Sequence, residues 1–139
     1  SQGGAIALAV AEALTRKGIT CTLKNSEGDS ISAKAIPRIR FVGVVDPVGM
    51  AILHKYPGEV PSGVENFFGA RGKGRDDVSQ IPKRADSKTK DWSPKGDFRD
   101  TRGRVPDHGE MGSSADVGNA IADAFEMAGG HFADSRIRD

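Results

Sequence analysis

The sequence predicts an α/β layer fold, and three stretches carry that prediction. Residues 4–17 read as an alanine-rich helix. Residues 39–45, Ile-Arg-Phe-Val-Gly-Val-Val, read as a strand that stops at Asp46-Pro47. Residues 115–127 read as a second amphipathic helix. Helix, short strand, strong strand, polar excursion, helix is an order that suits layered α/β packing better than a bundle or a sandwich.

The first helix rests on period and propensity. Ile6, Val10, Ala13 and Leu14 recur at helical spacing, with Ala5, Leu8 and Ala9 widening the stripe. So little polarity before Arg16 predicts a helix buried on most sides. Arg16 and Lys17 complement the dipole in the last turn, and Gly18 supplies the stop. Ile19 to Leu23 is a short β candidate, followed by a polar turn from Lys24 to Ser30.

In the strong run, Val42, Val44 and Val45 have few polar neighbours, as a strand covered on both faces requires. Pro47 ends the pairing because it has no N–H to donate. From Arg71 to Arg104 the chain is polar, with 11 Lys and Arg against 6 Asp, a local excess of about +5. Trp92 and Phe98 are its anchors, and a short hairpin is expected between them. In the last helix Val117, Ile121, Ala124, Phe125 and Ala128 form the apolar face, closed by Gly129-Gly130.

The bulk numbers bound the function. At 139 residues the chain is one domain or part of one. A net charge of +1 gives no global field toward nucleic acid or a membrane surface, and no nucleic-acid partner is expected. Membrane contact through the basic excursion finds no further support, since such charge runs are more often solvated loops. Aromatic residues are only 6%, which limits any aromatic core. Cys21 is the single cysteine, so no intrachain disulfide forms; this leans toward a reducing compartment without excluding export. No stretch reaches the roughly 18 apolar residues of a membrane span. There is no initiator Met, and the chain opens at what reads as a helix start, so earlier sequence is expected upstream.

Three residues carry chemistry, each at an element boundary. Ser1-Gln2-Gly3-Gly4 directly precedes the first helix, as the second half of a G-x-S-x-G nucleophile elbow would. The Gln2 backbone N–H and the helix dipole would then stabilise an oxyanion. Asp46 stands at the C-terminal end of the strong strand, the rim where open α/β sheets place their sites. His108, in Val105-Pro106-Asp107-His108-Gly109-Glu110, sits in a turn-rich loop before the last helix. Each has a plainer reading: a helix cap, a turn initiator, a solvated surface histidine. Their order, nucleophile then acid then histidine, makes the triad Ser1, Asp46, His108 the better one. His54 and His131 fit worse, the first too close to Asp46 in sequence and the second in the terminal tail. Asp107 is an alternative acid, though sequence neighbours rarely orient one another's rings. No cofactor is called for. His108 and Glu110 lack a further His or Cys at metal-ligand spacing.

With those residues in view, the chain resembles bacterial lipase-like serine α/β-hydrolases. S-Q-G-G-A-x-A-L resembles their elbow, R-F-V-G-V-V-D-P-V the strand ending in the triad acid, and V-P-S-G-V-E-N a V-P-x-x-V element after it. D-H-G-E-M-G-S-S-A-D-V-G-N-A-I resembles the histidine loop and following helix. The resemblance covers most of the chain apart from 71–104, and only the combination of motifs is specific. It implies that residues 1–139 are the C-terminal part of one α/β-hydrolase domain. The N-terminal strands and a second oxyanion donor would lie upstream, so the stretch alone is expected not to build a competent site. It also implies a small-molecule or lipid ester as substrate, while thioesters and peptides fit the same chemistry.

Two other classes compete. An N-terminal nucleophile hydrolase would use Ser1 with its own amine as base, but would start on a strand, and residues 4–17 read as helix. A non-catalytic module could hold an anion at the Gly3-Gly4 helix start, but neither G-x-G-x-x-G nor a P-loop accompanies it.

Overall fold

A helix packed on one face of a short parallel sheet, and a second helix on the other, frame the chain. The computed structural model describes residues 2–47, 59–73, 81–84 and 86–131. Ser1, His54 and the tail beyond His131 lie outside the described residues.

Helix α1 spans Gln2–Lys17 and ends where Gly18 turns left-handed at φ 73°, its N–H closing on Leu14 O at 3.0 Å. A Cβ on Gly18 would also meet the Ala35 carbonyl oxygen at 2.6 Å, so two constraints select glycine. Next comes a hairpin, β1 (Ile19–Lys24) with β2 (Ser30–Ala35), paired antiparallel from Ile19↔Ala35 to Lys24↔Ser30. Its turn is held by Asn25, whose Oδ1 accepts from the Glu27 and Asp29 amides at 3.0 and 2.8 Å. Every strand residue of this hairpin is exposed.

Strand β3 (Val42–Val45) pairs in parallel with β5 (Asn66–Ala70), and β5 with β7 (Lys90–Asp91), giving the order β3-β5-β7. Between them, β4 (Glu59–Val60) and β6 (Lys83–Arg84) make a separate two-residue parallel pair. Helix α2 is the short His108–Met111, and α3 runs Ala115–Met127 from its N-cap Ser114, whose hydroxyl accepts from Val117 N.

Period-2 alternation divides the sheet's side chains between two cores. Val42, Val44 and Phe67 face Leu8 and Ala11 of α1, together with Val60 and Val64. Phe68 and Ala70 face Val117 and Ala124 of α3, together with Phe98 and Met111. The expectation of a β3 covered on both faces is met. Gly43 lets α3 approach: a Cβ there would lie 2.5 Å from Ile121 Cδ1.

Two readings of the sequence need correction, and other features were not foreseen. The α1 stripe Ile6-Val10 points away from the core, at 60% and 51% exposure, while Gly4, Leu8 and Ala11 are buried. Ile6 lies about 200° around the helix from Leu8, and the face carrying the smallest residues comes closest to β3. No hairpin joins Trp92 to Phe98. Instead β7 precedes Trp92 and extends the central sheet, the Trp92 N–H donating to Phe67 O at 2.8 Å. Strands β2 and β5 were not anticipated. Finally, the two arginines that end the basic excursion pair with acids. Arg71 Nε bonds Asp97 at 2.7 Å, and Arg104 bonds both Asp100 and Glu110.

Candidate active site

Strand β3 delivers Asp46 to the C-terminal edge of the sheet. There the backbone leaves the extended region. Asp46 has φ 42°, the one non-glycine residue with positive φ among those described. Aspartate tolerates this conformation better than most side chains, and such outliers concentrate at functional sites. Its N–H still pairs with Ala70 O at 2.6 Å, so the turn is anchored to β5 while Pro47 ends the strand. The residue is 3% exposed. An ionised carboxylate at that depth requires donors, and it has them. The Gly72 amide donates to Oδ1 at 3.2 Å, and Nδ1 of His108 bonds Oδ2.

His108 reaches Asp46 because the loop before it is held at several points. Asp100 accepts from the Arg102 and Arg104 amides at 3.0 and 2.8 Å, forming a turn completed by Gly103 at φ 77°. Thr101 ties that turn to α3 through Asp116 at 2.8 and 3.0 Å. Arg104 bridges to Glu110 at 3.0 Å, and Glu110 in turn accepts from the Asp107 amide at 2.9 Å, fixing the first turn of α2. The Lys73 amide donates to Pro106 O at 2.7 Å, pinning the loop to the exit of β5. His108 is the first residue of a short helix, where a turn-rich loop was expected.

These contacts shift the charged groups in a consistent direction. At Asp100 what desolvation there is pushes the carboxyl pKa up. The Arg104 amide and guanidinium and the Arg102 amide outweigh it, and the net shift is downward. Glu110 is lowered by the Asp107 amide and then by Arg104. Arg104 is raised by Asp100 and Glu110.

The Asp46–His108 bond fixes the imidazole's chemistry. With Asp46 ionised the carboxylate only accepts, so Nδ1 carries the proton and donates it. In the neutral ring Nε2 then keeps its lone pair. With 50% of its side chain exposed, His108 is open to solvent on part of its ring while Asp46 is sealed beneath it. A neutral histidine oriented in this way by a carboxylate is held in one tautomer, with Nε2 able to accept a proton.

Of the predicted site residues, the structure joins Asp46 and His108. Asp107 is exposed and precedes α2, and the ring's bond goes to Asp46. Gln2 is the first residue of α1, so its backbone N–H is among those that helix geometry leaves without an intrahelical acceptor. Gly4, two residues on, packs against Pro47: a Cβ there would lie 3.0 Å from Pro47 Cβ. The start of α1 and the turn carrying Asp46 are neighbours. Gly72 was missed, and with β5 unanticipated nothing in the sequence singles it out. Among the described residues no group of three or more His, Cys, Asp or Glu side chains could hold a metal ion. No helix among them is long and apolar enough to cross a membrane.

No known protein family, curated protein or solved structure matches this chain.

Proposed function

We propose that the chain carries the acid, the histidine and the nucleophile of a serine hydrolase acting on an ester, with Ser1, Asp46 and His108 as the triad. The observation that carries the proposal is the bond from His108 Nδ1 to buried Asp46 at the edge of a parallel sheet. A helix–sheet–helix arrangement with the acid at a strand's C-terminal end fits the C-terminal portion of an α/β-hydrolase sheet. What supports Ser1 is the helix it precedes, whose Gly4 packs against Pro47, next to Asp46.

In this reading His108 Nε2 takes the Ser1 hydroxyl proton as Oγ attacks the ester carbonyl carbon. The carbonyl oxygen becomes an oxyanion facing the Gln2 amide and the α1 dipole. Collapse breaks the bond to the alcohol, which leaves with the proton from His108. Water then attacks the acyl-serine, again giving its proton to Nε2. Collapse releases the acid and returns the proton to Ser1 Oγ. Asp46 stays ionised throughout, holding the ring and stabilising its charged form.

A fluorophosphonate probe applied to the full-length protein tests this directly, since it phosphonylates an activated serine far faster than an ordinary hydroxyl. Mass spectrometry should locate the adduct on Ser1. Ser1→Ala should abolish it and His108→Ala should slow it by about 10³-fold or more. An adduct on another serine, or none while ester hydrolysis proceeds, overturns the assignment.

A further inference from the structure

One residue touches both Asp46 and the segment that carries His108. Gly72 follows β5, and its amide donates to Asp46 Oδ1 at 3.2 Å, the oxygen opposite the one His108 uses. Its Cα faces the histidine loop. A Cβ there would lie 2.7 Å from the Pro106 carbonyl oxygen and 2.7 Å from Met111 Cγ. Pro106 and Met111 are both buried, two residues before and three residues after His108. The Pro106 carbonyl is also fixed by the Lys73 amide at 2.7 Å. Since Gly72 φ lies outside the left-handed region, its need for glycine is one of space, not of dihedral freedom.

We infer that Gly72 is the positioning residue that sets the gap between the carboxylate and the imidazole. A backbone carbonyl has no rotamer to change, so a methyl group at position 72 is relieved in one of two ways. Either residues 106–111 shift outward, carrying His108 from Asp46, or Gly72 shifts back and withdraws its amide from Oδ1. The first lengthens the Asp46–His108 bond, and the second frees the carboxylate to turn away from the ring, so either loosens the pair. The kinetic consequence rests on the hydrolase reading, but the structural one does not.

The test is Gly72→Ala, read by ¹⁵N NMR of the His108 ring and by turnover of a small activated ester. The native protein should show one tautomer, protonated on Nδ1, and the variant a mixture of two. Turnover should fall about 10- to 100-fold, the scale of small misplacements, with KM little changed. Gly112→Ala, where a Cβ meets nothing within 4 Å, should leave both readouts unmoved. Lys73→Pro, which removes the amide held by Pro106 O, should also mix the tautomers and covers the case in which Gly72→Ala does not fold. A single Nδ1–H tautomer in either variant overturns the inference. If the native protein hydrolyses no ester but the tautomers still mix in the variants, the positioning role stands and the hydrolase reading fails.

Discussion

The carboxylate of Asp46 and the imidazole of His108, separated by 62 positions in the chain, share a hydrogen bond at the C-terminal edge of the parallel sheet. Two unrelated pieces of local structure make this possible. The left-handed turn at Asp46 brings its carboxylate back over the end of β5, and the Asp100–Arg104–Glu110 cluster holds the opposite loop in place.

Asp46→Asn isolates the role of that carboxylate. The amide fits the same space and can still accept from Gly72, but it offers His108 an N–H instead of an anion. The ring must then turn its Nδ1 lone pair toward the amide, leaving the proton on Nε2 and no base. On the proposed hydrolase reading, ester turnover is expected to fall about 10⁴-fold with little loss of stability, the pattern of an acid that orients its histidine. Turnover within tenfold of native would remove Asp46 from the mechanism.

Stability should track the two cores and ignore the hairpin. Phe67, on β5, is fully buried in the core between the sheet and α1, so Phe67→Ala is expected to cost about 3–5 kcal/mol in urea unfolding. Leu23 is 66% exposed on β1, and Leu23→Ala should stay within about 0.5 kcal/mol. A larger loss at Leu23 than at Phe67 would mean that the hairpin face is covered in solution.

Much of this arrangement is legible in the sequence. Residues 115–127 carry period and cap together, and the structure returns the same helix bounds. The run ending at Val45 is equally clear, because a strand buried on both faces must be apolar throughout. The choice of face on α1 is not legible. Ile6-Val10 and Leu8-Ala11 are both acceptable stripes, and only the close approach to β3 selects the one with smaller residues. Strand β7 is hidden for another reason. It is two exposed charged residues, Lys90 and Asp91, held by backbone bonds to β5, with no apolar alternation to announce them. The acid and the histidine were legible as candidates from their places at element ends. Gly72 was not, because its role lies in what a side chain there would strike.

Gly43 and Ile121 offer a test of the α3 face. A methyl group on Gly43 would lie 2.5 Å from Ile121 Cδ1 and 3.0 Å from Phe41 Cε1. Gly43→Ala is therefore expected to cost about 1–3 kcal/mol through overpacking. Because the main obstacle is the tip of a side chain, Ile121→Val added to Gly43→Ala should recover part of that loss. Simple additivity in the double variant would show that α3 does not rest on β3 at this point.

The cluster that holds the histidine loop should give way in acid. Asp100 and Glu110 both have folded-state pKa values below their ordinary ones, so each binds its proton more weakly in the folded chain than in the unfolded chain. Their contribution is full above the ordinary carboxylate range and is lost as pH falls through the lowered values. Glu110→Gln removes the anion that Arg104 and the Asp107 amide both use. The variant should melt below the native protein at neutral pH, and the gap should close on acidification, vanishing by about pH 2, below the usual carboxylate range. All three charged groups are at least partly solvated, so the neutral-pH gap should also shrink in high salt. A gap that persists undiminished in acid would mean that Glu110 acts through packing, and that the charges of Asp100, Arg104 and Glu110 are not what holds His108 against Asp46.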